Sequence, residues 1–140
     1  MNETNSNKQS IDKSNVRSRN VDFIVSKEYI EILDKHTSHS NRYTLFINLC
    51  LSYGLLTLPF IRLIPPRKAT EDELHDFHTV EYIKCLQESV VPSKHKVLDE
   101  ELKNKLDQFG LLDDCPIFDG LYEYVQYVAG GTLMAVEQIM

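Results

Sequence analysis

Residues 113–136 read DDCPIFDGLYEYVQYVAGGTLMAV. Two adjacent carboxylates, Asp113 and Asp114, and a Cys115-Pro116 step stand directly ahead of an amphipathic stretch. From Gly120 onward Leu121, Tyr124, Val125, Val128, Thr132, Ala135, Val136 and Ile139 recur at three- and four-residue steps, which predicts one long helix running to the end of the sequence. Gly130 and Gly131 fall inside it. A glycine in a helix interior costs about 1 kcal/mol against alanine, so the pair predicts a close backbone approach. Asp119 is the expected N-cap. The carboxylate pair keeps two readings at this stage: a solvated helix entrance favoured by the macrodipole, or a binding group.

The preceding segments yield to the same reading. TVEYIKCLQES (79–89) predicts a helix capped by Thr79 that turns Val80, Ile83 and Leu86 inward. ATEDELHDF (69–77) opens another, with Thr70 and Glu73 spaced as a capping box that satisfies orphan N–H groups reciprocally. FIRLIPP (60–66) is a short strand stopped by two prolines, and VDFIVS (21–26) is a β-branched and aromatic strand. KEYIEILDKH (27–36) predicts a short helix with Tyr29, Ile30 and Leu33 on one side, followed by a polar loop over 37–42. VPSKHK (91–96) is another loop, and Leu98, Leu102, Leu106 and Phe109 then repeat at helical spacing.

YTLFINLCLSYGLLTLPFI (43–61) carries no charge, which raises the question of a membrane span. Thr44, Asn48 and Ser52 form a polar stripe at i, i+4, i+8, with Leu45, Phe46, Leu49, Cys50 and Tyr53 opposite. Gly54 is placed to stop the helix and Pro59 to break any continuation. The expectation is a buried helix whose apolar face is core, with no membrane partner.

Length and composition fit one soluble domain: 140 residues, 42% hydrophobic and 26% charged. Net charge is −6. Residues 1–20 set Lys8, Lys13, Arg17 and Arg19 against Glu3 and Asp12, a surplus of +2, so the other 120 residues carry −8. That acidic body argues against direct nucleic-acid binding and for basic protein partners. The first 20 residues, rich in Asn and Ser, are expected to be a disordered tail, with no apolar run of the kind a secretory signal needs. Its VRSR has a nuclear-import reading beside that of a solvated tail. Cys50, Cys85 and Cys115 are odd in number and far apart, which points to a reducing compartment.

No complete catalytic set stands out. His75 and His78, at i, i+3, supply half of a zinc site's ligands and no spaced partners follow. Cys115 has acidic neighbours, which disfavour the thiolate a nucleophile requires.

Four phrases in order, DDCPIFDGLYEYVQ, LSYGL (51–55), RLIPPRKATEDELHDFHTVEYIKCL (62–86) and VAGGTLMAV (128–136), resemble the class I histone deacetylases over roughly residues 21–140. The loop SNRYT (40–44) is closest to the type-eight branch. The resemblance implies an α/β fold in which this chain forms the N-terminal third of a three-layer α/β/α deacetylase domain, mostly helical with one or two strands. It implies that Asp114 binds substrate at the tunnel rim by accepting hydrogen bonds from backbone N–H groups. Arg42 would line the internal channel through which acetate leaves, where a fixed cation suits a carboxylate. Asp113 stands where that branch has tyrosine, and Phe23 and Val25 replace tyrosines of its first strand.

The family's general-base histidines, zinc ligands and late tyrosine belong to phrases not found among these 140 residues. No catalytic or metal-binding residue is therefore assigned here, and no cofactor is expected in this chain, zinc being that of the full-length family. The implied parent activity is zinc-dependent hydrolysis of acetyl-lysine. The implied partners are acetylated histone tails or other acetyl-lysine proteins and corepressor proteins, in the nucleus or also the cytoplasm. A piece truncated before the catalytic segment is expected to be inactive and poorly stable alone, since one or two strands do not make a sheet. The alternative is a non-catalytic interaction module or decoy that binds basic peptides; a membrane-anchored helical protein is a third reading.

Overall fold

The computed structural model describes residues 20–36, 38, 40–89, 100–112 and 115–140. In chain order the elements are β1 (Val21–Ile24), α1 (Lys27–Leu33), α2 (Arg42–Ser52), a 3-10 turn (Leu55–Thr57), β2 (Ile61–Ile64), α3 (Glu71–His75), α4 (Val80–Glu88), α5 (Glu100–Gln108) and α6 (Leu121–Glu137). The expected tail, save Asn20, and the loop 91–96 lie outside the described residues.

β1 and β2 pair in parallel, Phe23 opposite Leu63 and Ile24 opposite Ile64. Successive side chains of a strand point to opposite faces. Phe23 and Leu63 therefore share one face, and the Phe23 ring lies 6.4 Å from that of Phe46 on α2. On the other face Ile24 lies beside Gly131 of α6. Helix, sheet and helix form three layers, the partial α/β arrangement that the sequence implies. An Arg62 fork onto Asp22 (Nη2 to Oδ2, 2.6 Å) bridges the two strands at paired positions.

The core gathers where α3, α4 and α5 meet the start of α6. Ile83, Leu86 and Leu106 are fully buried there, joined by Leu74, Leu111, Phe118 and Leu121. The capping box at α3 is formed as expected: Thr70 Oγ accepts from the Glu73 N–H at 3.3 Å, and Glu73 Oε2 accepts from the Thr70 N–H at 2.8 Å. Arg67 adds a fork onto Glu73 at 2.6 and 2.8 Å and reaches Glu137 at 2.8 Å, joining the exit of β2 to α3 and to the end of α6. Arg67 and the Thr70 N–H together hold the Glu73 carboxyl down at about 2.

Three expectations are corrected. The expected core face of α2 is core only at Cys50: Leu45, Leu49 and Tyr53 on it are 67%, 55% and 74% exposed. Tyr43 and Ile47, outside that expectation, turn inward with Cys50 at i, i+4, i+7. Amphipathic periodicity gives a helix its faces, but the neighbours decide which one packs. Val80 is 61% exposed, because α4 turns Ile83, Cys85 and Leu86 inward and leaves its first residue at the rim. The N-cap of α6 is Gly120 at φ 87, without a side-chain cap, and Asp119 stands one position too early. A left-handed entry suits the residue that lacks a Cβ.

The close approach expected of the glycine pair is present at Gly130. A Cβ built there would meet the Arg67 carbonyl oxygen and lie 2.6 Å from the Ala69 nitrogen. The segment is docked onto α6 by an Ala69 N–H donating to the Gln126 carbonyl at 2.9 Å.

Candidate functional site

Arg42 opens α2, so it is the first helical residue rather than part of the preceding loop, and it is exposed. What orients it is a cap supplied from a distance. The N-cap residue Asn41, at φ 60, makes no side-chain cap. The Asp34 carboxylate at the end of α1 takes that part, accepting from the Tyr43 N–H at 2.9 Å and the Thr44 N–H at 3.1 Å. A carboxylate on the positive end of a helix satisfies both orphan donors and the dipole. Sequence reading missed Asp34 because local capping rules look one to three residues ahead of a helix, not across a loop.

Tyr43, next to Arg42, turns inward beside Tyr124 of α6. Burial first, then the Tyr43 phenol, push Tyr124 up to about 12. Burial likewise raises Tyr29, whose ring lies 5.9 Å from that of Tyr127. The His36 ring stands 5.4 Å from Phe118 and 5.5 Å from Tyr124, and Phe118 meets Tyr124 edge-on at 5.4 Å. His36 Nδ1 accepts from the Ser38 N–H at 3.3 Å. The loop leading into α2 and the Cys115–Phe118 segment thus converge on one cluster of rings. The raised Tyr124 and Tyr29 phenols stay protonated at neutral pH and can donate hydrogen bonds to an oxygen-rich guest.

Tyr124 also lines a groove of about 460 Å3 between the α3–α4 turn and α6, with His78, Tyr82, Val125 and Val128 among its walls. The lining is chiefly apolar.

Asp113 and Asp114 lie outside the described residues. Cys115, which follows them, is exposed. The two histidines have separate surroundings: His75 Nε2 lies 3.4 Å from Glu71, while the His78 ring packs on Phe77 and Tyr82 at 5.0 and 5.1 Å. His75 Nδ1 is buried without a hydrogen-bond partner. That orphan nitrogen alone does not make a metal centre. Among the described residues no three His, Cys, Asp or Glu side chains are grouped to hold an ion, so the donors present do not fit a zinc site. Among the same residues no helix is long and apolar enough to cross a membrane.

The raised Tyr124 gives a prediction at alkaline pH. A group whose folded pKa lies above its unfolded value contributes stability in full below the unfolded value, and that contribution fades as pH climbs to the folded one. For Tyr124 the window runs from 10.0 to about 12. Phenolate absorbance should show late-titrating tyrosines, and Tyr124→Phe should remove the latest of them together with part of the loosening in that window.

The family model for the histone deacetylase domain matches residues 4–140. Histone deacetylase 8 of Danio rerio is 33% identical over 132 residues, covering 92% of this chain and 32% of its own length. Histone deacetylase HDAC1 of Drosophila melanogaster is 36% identical over 104 residues, 74% of this chain and 19% of the relative. Histone deacetylase clr6 of Schizosaccharomyces pombe is 32% identical over 105 residues, 75% and 24% of the two. The chain therefore spans between 19% and 32% of the length of these curated relatives.

Proposed function

Because the chain belongs to the histone deacetylase domain family, we propose that it supplies the substrate rim and a product-channel wall of a zinc-dependent lysine deacetylase. Acetylated histone tails or other acetyl-lysine proteins are its substrates on this reading, corepressor proteins its further partners and the nucleus its place. The observation that carries the reading is convergence. Tyr43, beside Arg42, and Phe118, four residues after Asp114, both meet Tyr124. Asp114 then holds the peptide backbone through charge-assisted hydrogen bonds while acetyl-lysine enters, and Arg42 with the neutral phenols conducts acetate away.

Zinc, which in the family acts as Lewis acid and activates the attacking water, finds no fitting ligand set among the described residues. The 140 residues alone are expected to be inactive. The second reading, a non-catalytic module binding basic peptides, draws on the same Asp114 and on the acidic body, whose 120 residues carry −8.

A charge-assisted hydrogen bond contributes about 1.5–3 kcal/mol, so Asp114→Ala should weaken binding of an acetyl-lysine histone peptide by about tenfold or more. Titration calorimetry on the chain checks this, beside an assay for released acetate. Equal affinity of parent and variant would remove Asp114 from the rim, and acetate release by the chain alone would show that its own residues suffice for turnover.

A further inference from the structure

The exit of β2 is strapped to one line of α6. Pro65 and Pro66 carry no N–H, so Arg67 supplies the first backbone donor after the strand. That donor goes to a sulfur: the Arg67 N–H meets Met134 Sδ at 3.1 Å. One turn earlier on α6, the Arg67 carbonyl sits on Gly130, where a Cβ would not fit. One turn earlier again, the Ala69 N–H donates to the Gln126 carbonyl at 2.9 Å. Gln126, Gly130 and Met134 stand at i, i+4, i+8 and so share a face of the helix. The side chains of the strap straddle the same line, Lys68 on Glu123 at 2.7 Å and Arg67 on Glu137 at 2.8 Å.

Of these contacts the one at Met134 is chemically labile. A thioether is a weak acceptor, and its sulfur is a site of oxidation. Met134 is half-buried, not sealed in the core. We propose that Met134 is a modification site, oxidised by hydroperoxides to the sulfoxide, and that its oxidation releases the 67–69 strap from α6. A sulfur lone pair attacks one oxygen of hydrogen peroxide. The S–O bond forms as the O–O bond breaks, and the sulfur is oxidised by two electrons. The departing hydroxide takes the proton of the transferred oxygen and leaves as water. If the lone pair facing Arg67 reacts, the new oxygen needs space that a 3.1 Å contact does not leave. If the other reacts, the sulfur becomes positively polarised and no longer accepts. Either way the Arg67 N–H loses its acceptor, and a polar group replaces an apolar side chain at the strap. The freed strap carries Arg67 away from Glu73 and Glu137, so the start of α3 loosens with it.

The test treats the 140-residue chain with hydrogen peroxide and follows each methionine by peptide mass spectrometry. Met140, 96% exposed, is the internal control, and Met134 should oxidise more slowly. Once Met134 is converted, the folded-to-unfolded ratio from urea titration should fall by about fivefold or more, the effect of leaving a sheltered donor unpaired. Amide protection should be lost at Arg67 and Ala69 before Leu106 in the core. Treatment with methionine sulfoxide reductases should restore both readings. Met134→Leu should abolish the response to peroxide, and Met140→Leu should keep it. If Met134→Leu fails to fold, amide exchange of the Met140→Leu chain before and after oxidation gives the same readout. Full conversion of Met140 with Met134 untouched overturns the proposal. So does a sulfoxide at Met134 that leaves Arg67 and Ala69 protected, or a peroxide-induced loss of stability that is as large in Met134→Leu as in the parent.

Discussion

Gly130→Ala lowers the stability of the chain by about 2–3 kcal/mol, while its neighbour Gly131→Ala stays within about 1 kcal/mol of the parent. Each substitution gains helix propensity of about 1 kcal/mol, so the difference lies in what the new methyl meets. At Gly130 it meets backbone: the Arg67 carbonyl oxygen, with the Ala69 nitrogen at 2.6 Å and the Lys68 carbonyl carbon at 2.8 Å. Backbone cannot rotate away, and the segment is held by the Ala69 N–H on the Gln126 carbonyl at 2.9 Å and by Gln126 Nε2 on the Ala69 carbonyl at 3.3 Å. Making room therefore displaces both hydrogen bonds and the Arg67 contacts with Glu73 and Glu137. At Gly131 the nearest atoms are the Tyr29 hydroxyl at 3.2 Å and Ile24 Cγ2 at 3.8 Å, which are side chains that shift by tenths of an ångström. Urea titration followed by far-ultraviolet circular dichroism measures both. Equal midpoints for the two variants would show that the 67–69 segment is not seated on Gly130.

The contrast between the two glycines marks how far a sequence alone carries the fold. That a Gly-Gly pair inside an apolar helix means close packing follows from propensity, but which of the two makes the contact depends on the exit angle of β2, which no local pattern encodes. Turn and cap chemistry was readable wherever it is local. The Thr70–Glu73 box, the Thr79 cap and the left-handed Gly54 each need only three or four residues of context. The remote cap from Asp34 and the left-handed Gly120 were missed because they are set by a loop path. The packed face of α2 failed for a related reason. Its sequence has apolar residues around most of the helix, and which of them turn inward is set by tertiary neighbours, α1 among them. Arg42 and Asp114 were named through resemblance, whereas the ring cluster beside Arg42 draws on His36, Tyr43, Phe118 and Tyr124 from four separate segments.

α4 puts the same distinction to a quantitative test. Val80, Ile83 and Leu86 recur at three-residue steps, and the pattern treats them alike. Their exposures, 61%, 0% and 1%, do not. Ile83→Ala removes three methyl or methylene carbons from a site that touches α3, α5 and α6 through the shared core, and leaves a void that close-packed neighbours fill only in part. Truncations of this kind cost about 2–5 kcal/mol, so Ile83→Ala is expected to remove most of the margin of a chain whose described residues hold two strands and one small core. Val80→Ala, at the solvent-facing start of the helix, should stay within about 0.5 kcal/mol. Because α4 also holds Tyr82 against Phe109 at 5.3 Å, the Ile83 variant should loosen α5 with it, seen as lost amide protection at Leu106 before any change at β1 and β2. Equal losses for Val80→Ala and Ile83→Ala would mean that α4 is rotated about its axis from the arrangement described, and the wall of the groove that carries Tyr82 would have to be redrawn.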